Sequence, residues 1–248
     1  MIYINRPINV EKIKFILCDF DRTISISNSP TSWGIFSTSQ FTSPNFKEET
    51  MHLYDMYRPI ETDHYLSLAE KKRVMYRWTN EQVMLFSKYD ISYDDYLNIC
   101  YNDNGIILRH DFSNFVHEMY ELGISIHIIS AGLFEPIKCK LERSDALLPN
   151  VDIISNHVRH DENRKITGIS GKTITSMNKD EVLGISSDEQ GILFGDLPAD
   201  KLMATNLKTI DVGFANSSYD IPVFNKEFDI TLTGKSSFTS VSKILIKK

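Results

Sequence analysis

One stretch decides how this chain is interpreted: Phe15-Ile16-Leu17-Cys18-Asp19-Phe20-Asp21-Arg22-Thr23, an apolar run that ends in two carboxylates and a threonine. A continuous apolar run bounded by polar residues is typical of a strand buried on both faces of a parallel sheet. In open parallel sheets, ligands bind where the strands end. Side chains two residues apart in an extended chain lie on one side, so Asp19 and Asp21 can address the same substrate or metal. Aspartates also open turns after strands, and this stretch alone leaves both interpretations open.

The overall composition is that of a soluble globular protein. The 248 residues are 42% hydrophobic and 24% charged, enough for one large domain or two smaller ones. A net charge of -6 without a basic stripe argues against a nucleic-acid binder. The three cysteines, Cys18, Cys100 and Cys139, have no paired or metal-like spacing, which favours reduced thiols in the cytoplasm. Because we find no signal-peptide stretch and no run of 18 apolar residues, we expect neither secretion nor a membrane span.

The chain after Thr23 falls into a helical block and an alternating series of strands and helices. Residues 25–44 are rich in Ser, Thr, Asn and Pro, which favours a linker. Residues 46–108 lack buried-strand runs, and the clearest helical periodicity covers residues 66–89. We therefore expect residues 27–108 to form a helical cap domain, inserted into an α/β core made of residues 1–26 and 109–248.

The core sequence predicts a doubly wound parallel sheet of the α/β class. Buried-strand runs alternate with helical segments, and this alternation implies parallel strands with right-handed crossovers. Residues 158–174 instead indicate a β-hairpin beside the sheet, and Asn178 can cap a helix that runs to Leu183. The predicted strands after the first are residues 124–129, 151–155, 192–194, 209–212 and 229–232.

Polar groups follow three of the predicted strands. Besides the Asp19 pair, Ser130 follows the second strand, and Asp196 and Asp200 follow a later one, with Lys179 before them. Carboxylates gathered at one sheet edge repel each other unless a cation lies among them, and oxygen ligands of this type suit Mg²⁺. Ser130 and Lys179 supply a hydroxyl and a positive charge for a phosphate. The set outlines a phosphoryl-transfer site, although Asp200 can also be a helix-capping residue.

The motifs that carry this pattern resemble those of a known superfamily. In chain order, Asp19-x-Asp21-x-Thr23, Ser130, Lys179 and Gly195-Asp196-x-x-x-Asp200 match the four motifs of the haloacid dehalogenase (HAD) phosphohydrolases. A closer resemblance is to the cytosolic pyrimidine 5'-nucleotidase family. The segments that carry it are Ile129-Ser130-Ala131-Gly132, residues 150–156, Asn178-Lys179-Asp180 and Gly213-Phe214-Ala215-Asn216. The helical insertion also has the size and position of that family's cap.

The resemblance implies a role for each matching residue. Asp19 would attack phosphorus to give an aspartyl-phosphate, and Asp21 would protonate the leaving alkoxide and later activate water. Lys179 would offset charge between nucleophile and phosphate. Phosphate oxygens would be bound by Thr23, Ser130 and Ala131. Mg²⁺ would be held by Asp19, Asp21 through its main-chain carbonyl, and Asp196, with Asp200 in or near contact with the ion.

The resemblance to the pyrimidine enzymes is weaker in the cap. Trp78, Tyr76 and Phe86 could form a wall for a nucleobase, but aromatic side chains at helical spacing also pack against neighbouring helices. Arg77 stands where the family has an acidic residue that contacts the base. An arginine cannot accept a hydrogen bond from a cytosine amino group, whereas it could bind a carboxylate or a second phosphate.

Together with this resemblance, the sequence predicts a Mg²⁺-dependent phosphomonoesterase, and the resemblance implies that it acts through an aspartyl-phosphate on a nucleoside 5'-monophosphate. We expect a cytoplasmic monomer or homodimer whose partner is a small phosphorylated metabolite, with no nucleic-acid or membrane partner. One alternative is a phosphatase of the phosphoserine or sugar-phosphate type, which shares the core and differs in the cap. A second alternative is a non-catalytic phosphate-binding regulatory protein, for which a second catalytic acid at Asp21 would serve no purpose.

Overall fold

The computed structural model describes residues 1–63, 65–184, 188–233 and 236–246. Its strands are β1 (Ile2–Ile4), β2 (Ile13–Cys18), β3 (Ser125–Leu133), β4 (Val151–His160), β5 (Ile166–Ser170), β6 (Gln190–Gly195), β7 (Lys208–Ala215) and β8 (Ile230–Thr233). Its α-helices are α1 (Gly34–Thr38), α2 (Pro44–Thr62), α3 (Leu68–Lys88), α4 (Tyr93–Asn102), α5 (Phe112–Glu121), α6 (Phe134–Arg143), α7 (Ile221–Glu227) and α8 (Phe238–Leu245). In the described ranges, no helix combines the length and apolar character needed to cross a membrane.

The strands form one sheet whose centre is β2. Within the described residues the sheet has eight strands in the order β1-β8-β7-β6-β2-β3-β4-β5. The pairs from β8 to β4 are parallel, whereas β1 pairs antiparallel with β8 and β5 antiparallel with β4. The predicted α/β class with a mostly parallel sheet is confirmed, and so is the hairpin.

Both faces of the central strand are buried, as its continuous apolar sequence predicts. Ile16 and Cys18 are fully buried in one cluster with side chains of α5 and α8. Phe15 and Leu17 belong to a second cluster with Phe224 of α7. Side chains alternate between the faces of a strand, so helices on both sides explain why no polar residue interrupts β2.

Helices α1 to α4 lie in the chain between β2 and β3. Helices α3 and α4 each begin with a capping box, in which Ser67 pairs with Glu70 and Ser92 with Asp95. The two segments that join this block to the sheet run side by side, because Ser25 and Leu108 form an antiparallel bridge. The helical block is therefore attached to the sheet through two adjacent connecting segments.

Some elements differ from the sequence-based expectation. The predicted helix from Asn178 to Leu183 is wrong: only a 3-10 turn at Lys179–Glu181 forms. The reason is local, since Asn178 Oδ1 accepts a hydrogen bond from the Thr175 N–H, 2.7 Å away, and so turns back instead of capping a following helix. Strand β1 and helix α7 were not predicted, and the segment after Asp196 forms a short 3-10 helix, Pro198–Ala204.

Candidate active site

Three neighbouring strands bring the predicted polar groups to one edge of the sheet. Asp19 directly follows β2, Asp196 directly follows β6, and Ser130 lies near the end of β3. Because β2 is hydrogen-bonded to both β3 and β6, these residues meet although up to 177 positions separate them in sequence. All three line one cavity, together with Asp21.

A buried lysine joins two of the acidic residues. Lys179 Nζ lies 2.5 Å from Asp19 Oδ1 and 2.7 Å from Asp200 Oδ1, and its side chain is only 2% exposed. Lysine is almost never fully buried unless it is paired. Lys179 is therefore part of the site rather than a solvated surface residue.

Asp200 is held by hydrogen bonds to both carboxylate oxygens. Its Oδ2 accepts from the main-chain N–H groups of Asp196 and Leu197 at 3.0 and 2.9 Å, and its Oδ1 accepts from Lys179. Gly195 leaves room for this carboxylate, since a Cβ there would lie 2.6 Å from Asp200 Oδ2. Asp200 thus caps the 198–204 turn and positions Lys179 at once.

Burial and the charge of neighbouring carboxylates raise the pKa values of Asp19 and Asp196. Burial raises the pKa of Asp19 to about 7, although Lys179 lies beside it. Burial, and then the charges of Asp200 and Asp19, raise the pKa of Asp196 well above its usual value. Burial alone would lower the pKa of Lys179, but the adjacent carboxylates of Asp19 and Asp200 outweigh it and raise that pKa. The site therefore holds more negative charge than its lysine neutralises.

The acidic residues fit a divalent cation. Within the part of the chain that is described, Asp19, Asp196 and Asp200 each offer one carboxylate oxygen, and these atoms all lie within 4.8 Å of one another. A hard, oxygen-only ligand set of this kind suits Mg²⁺, and a cation would relieve the repulsion that contributes to the raised pKa values of Asp19 and Asp196.

The predicted phosphate-binding residues differ in their access to the cavity. Ser130 and Ala131 line it. Ser130 Oγ accepts a hydrogen bond from the Gly132 N–H at 3.0 Å, and its own O–H, which has no acceptor among the described residues, can donate to a ligand. The Ala131 carbonyl is occupied by Asn156 Nδ2 at 2.9 Å. Thr23 is fully buried, and among the described residues its Oγ1 has no hydrogen-bond partner.

The loop that carries Asp21 is fixed by residues that the motifs do not include. Arg22 has a φ of 65°, which is uncommon for a residue other than glycine. Arg109 donates to the carbonyls of Thr23 and Arg22 at 2.7 and 3.0 Å, and Asn216 also donates to Arg22 at 3.2 Å. Sequence reasoning noticed Asn216 only through the family resemblance and missed Arg109.

One side of helix α3 faces the cavity. Met75, Trp78, Thr79 and Gln82 line the cavity at the spacing of a helical stripe. Tyr57 of α2 stacks on Trp78 with ring centroids 5.8 Å apart. Of the three residues predicted to form an aromatic wall, Trp78 lines the cavity, whereas Tyr76 is 55% exposed and Phe86 is buried in the core.

Arg77 does not reach the cavity, contrary to the expectation that it faces the substrate. Its side chain is 69% exposed and pairs with Glu81 at 2.7 Å. The reason is helical phase, because adjacent residues in a helix point about 100° apart and Trp78 already faces the cavity. The acidic group on this side of the cavity is Glu61 of α2, which accepts from Ser176 Oγ at 2.6 Å and pairs with Arg58.

Comparisons with known proteins identify the family. The family model for pyrimidine 5'-nucleotidases (UMPH-1) matches residues 21–247. A 7-methylguanosine phosphate-specific 5'-nucleotidase A from Xenopus laevis is 27% identical over 254 residues, covering 95% of this chain and 87% of the relative. The 7-methylguanosine phosphate-specific 5'-nucleotidase of Drosophila melanogaster is 32% identical over 209 residues, covering 77% and 64%. The crystal structure of cytosolic 5'-nucleotidase IIIB bound to cytidine matches with a TM-score of 0.79 and 28% identity, covering 94% of this chain and 84% of that one.

These matches extend over the sheet and the helical insertion alike. They confirm the resemblance to the pyrimidine 5'-nucleotidase family and the predicted enzyme class, a phosphoric monoester hydrolase. The chain therefore belongs to the pyrimidine 5'-nucleotidase (UMPH-1) family.

Proposed function

We propose that this protein hydrolyses nucleoside 5'-monophosphates through an aspartyl-phosphate on Asp19. The observation that supports this most is the contact of Lys179 with Asp19, 2.5 Å, at a cavity also lined by Asp21, Ser130 and Asp196. A nucleophile beside a buried cation, with a second carboxyl two residues away, is the arrangement that covalent phosphoryl transfer needs.

The proposed reaction has two steps. An Asp19 oxygen attacks phosphorus while the bond from phosphorus to the ribose 5'-oxygen breaks, and Asp21 gives its proton to that oxygen. Asp21 then takes a proton from water, whose oxygen attacks phosphorus, so that inorganic phosphate leaves and the Asp19 carboxylate is restored. Ser130 and Lys179 bind phosphoryl oxygens in both steps, and we propose the same for the Ala131 N–H. The buried hydroxyl of Thr23 is the remaining candidate for binding a phosphoryl oxygen.

The proposed cofactor is Mg²⁺, held by the carboxylates of Asp19 and Asp196 and by the main-chain carbonyl of Asp21. Bound there, it would neutralise negative charge on the phosphoryl oxygens. Asp200 already accepts three hydrogen bonds. We therefore assign Asp200 to holding Lys179 and the chain after Gly195 beside the ion.

We further propose that residues 27–108 act as a cap that carries the base-binding wall, over a core of residues 1–26 and 109–248. Trp78 offers an aromatic face and Glu61 a carboxylate at the same cavity. A 7-methylguanine base carries a positive charge, which both an aromatic face and a carboxylate attract. The names of the relatives agree with this chemistry, so 7-methylguanosine 5'-monophosphate is the first substrate to test.

A substrate panel tests the proposed activity. With Mg²⁺, we expect phosphate release from 7-methylguanosine and cytidine 5'-monophosphates to exceed release from phosphoserine and sugar phosphates, because only nucleotides have a base to place against Trp78. EDTA should stop phosphate release, and added Mg²⁺ should restore it. Faster hydrolysis of phosphoserine or a sugar phosphate would favour that class of phosphatase, and binding without turnover of any ester would favour a regulatory protein.

A second prediction concerns Glu61. Glu61→Gln keeps the shape of the side chain but removes its charge, so kcat/KM for 7-methylguanosine 5'-monophosphate should fall by about 10-fold or more, as for loss of a hydrogen bond to a charged group. The value for cytidine 5'-monophosphate should change less, because cytosine is neutral. Arg77→Ala is the control, since Arg77 lies outside the cavity. Equal effects of the two substitutions on both nucleotides would contradict the assignment of Glu61.

A further inference from the structure

We propose that Ser32, in the segment between β2 and α2, is the positioning residue for the Asp21 carboxyl during proton transfer to the leaving group. This inference rests on the proposed function. Ser32 holds both oxygens of Asp21: its main-chain N–H donates to Oδ1 at 2.8 Å and its Oγ–H donates to Oδ2 at 2.7 Å. Ser32 is fully buried, so water does not compete for these hydrogen bonds.

The Ser32 hydroxyl has a fixed direction. The Leu133 N–H donates to Ser32 Oγ at 3.3 Å, so this oxygen accepts from β3 while its hydrogen is directed to Asp21. A carboxylate has about four lone-pair positions, and two donors from Ser32 leave one position on each oxygen for the transferred proton. The plane of the carboxyl is therefore set without blocking its acid and base roles.

A glycine in β3 leaves space for the contact between Ser32 and Asp21. A Cβ at Gly132 would lie 1.9 Å from Ser32 Oγ, so only glycine allows the hydroxyl to occupy its position. Trp33, the next residue, donates from Nε1 to the Ala131 carbonyl at 3.1 Å. Two consecutive residues of the segment thus contact both Asp21 and the end of β3 that carries Ser130, and the segment belongs to the site although its sequence predicts a plain linker.

The consequence for the reaction concerns the leaving group. A ribose 5'-alkoxide is a poor leaving group and needs a well-aimed proton, whereas nitrophenolate leaves with little proton donation. A misdirected Asp21 should therefore slow cleavage of the nucleotide far more than cleavage of 4-nitrophenyl phosphate. A side chain that only supports the fold would affect both esters alike.

The test uses Ser32→Ala in single turnovers with enzyme in excess, in the presence of Mg²⁺. Release of nucleoside should slow by about 10- to 100-fold, part of the usual contribution of general acid catalysis, and release of nitrophenolate should stay near the wild-type rate. Ser32→Thr keeps the hydroxyl and should restore nucleoside release. Ser37→Ala is the matched control and should change neither rate, because within the described part of the chain the Ser37 hydroxyl donates only to the Gly34 carbonyl of α1, at 2.8 Å.

Gly132→Ala provides a second test, because it keeps the Ser32 side chain unchanged but shifts its position. The added methyl group must displace Ser32 Oγ and would also lie 3.0 Å from Ser130 Oγ, so this variant should slow nucleoside release more than nitrophenolate release, and adding Ser32→Ala to it should cost little more. If Ser32→Ala slowed both esters equally, or cleaved both at wild-type rates, the positioning role of Ser32 would be overturned while the proposed function would stand. A wild-type protein that cleaves neither ester would overturn the proposed function, and this inference with it.

Discussion

Asp19→Asn is expected to abolish phosphate release while leaving the fold intact. An asparagine side chain has nearly the shape of aspartate but no anionic oxygen to attack phosphorus, so kcat should fall by at least about 10⁴-fold, as when other covalent nucleophiles are removed. The wild-type protein, quenched with acid during turnover, should carry a phosphoryl group that the variant lacks. Both results can be measured with a nucleotide labelled in its phosphate.

The control for Asp19→Asn is the same chemical change at an exposed position. Asp145 has a side chain 79% exposed, which contacts His117 on the surface, so Asp145→Asn should retain the wild-type rate. The thermal unfolding midpoint of Asp19→Asn should stay near that of wild type, because Lys179 keeps its contact with Asp200. Wild-type turnover in Asp19→Asn would remove the covalent mechanism and leave only the family assignment.

The sequence is most informative where long apolar runs meet polar ends. Strand β2, and the strands β3 and β6 beside it, could be predicted because continuous apolar residues have few other places to be buried. Once these strands are parallel neighbours, the positions of Asp19, Ser130 and Asp196 follow from topology. The acidic part of the site is therefore predictable from local sequence together with one general rule about parallel sheets.

The rest of the site depends on tertiary packing that leaves no local signal. Ser32 lies in a segment whose composition indicates a linker, and Arg109 is one of many basic residues in the chain. For Arg77 and Trp78, periodicity gives their angular separation but not which one faces the cavity. That choice is made by the packing of α3 against α2 and the hairpin strand β5. The same packing places Glu61 where the sequence-based interpretation had placed no acid.

Lys179→Met should cause the second large loss of activity, and it should also lower the free energy of unfolding. The substitution leaves Asp19 and Asp200 buried without their shared cation, which costs about 3–5 kcal/mol when one partner of a buried ion pair is removed. Turnover should fall by about 10²- to 10³-fold or more, since a preorganised positive charge at the transferring phosphoryl group is lost. Urea unfolding and steady-state kinetics measure the two effects separately.

Lys172→Met is the matched comparison, and Mg²⁺ distinguishes the cause of the instability. Lys172 pairs with Glu181 while 53% exposed, so its loss should cost no more than about 1 kcal/mol. If a divalent cation binds among Asp19, Asp196 and Asp200, the unfolding free energy of Lys179→Met should lie closer to that of wild type in Mg²⁺ than in EDTA. The unfolding free energy of Lys172→Met should stay within about 1 kcal/mol of wild type in both conditions. Equal stabilities of the two variants would show that the carboxylates do not depend on the buried lysine, and the electrostatic account of the site would then be wrong.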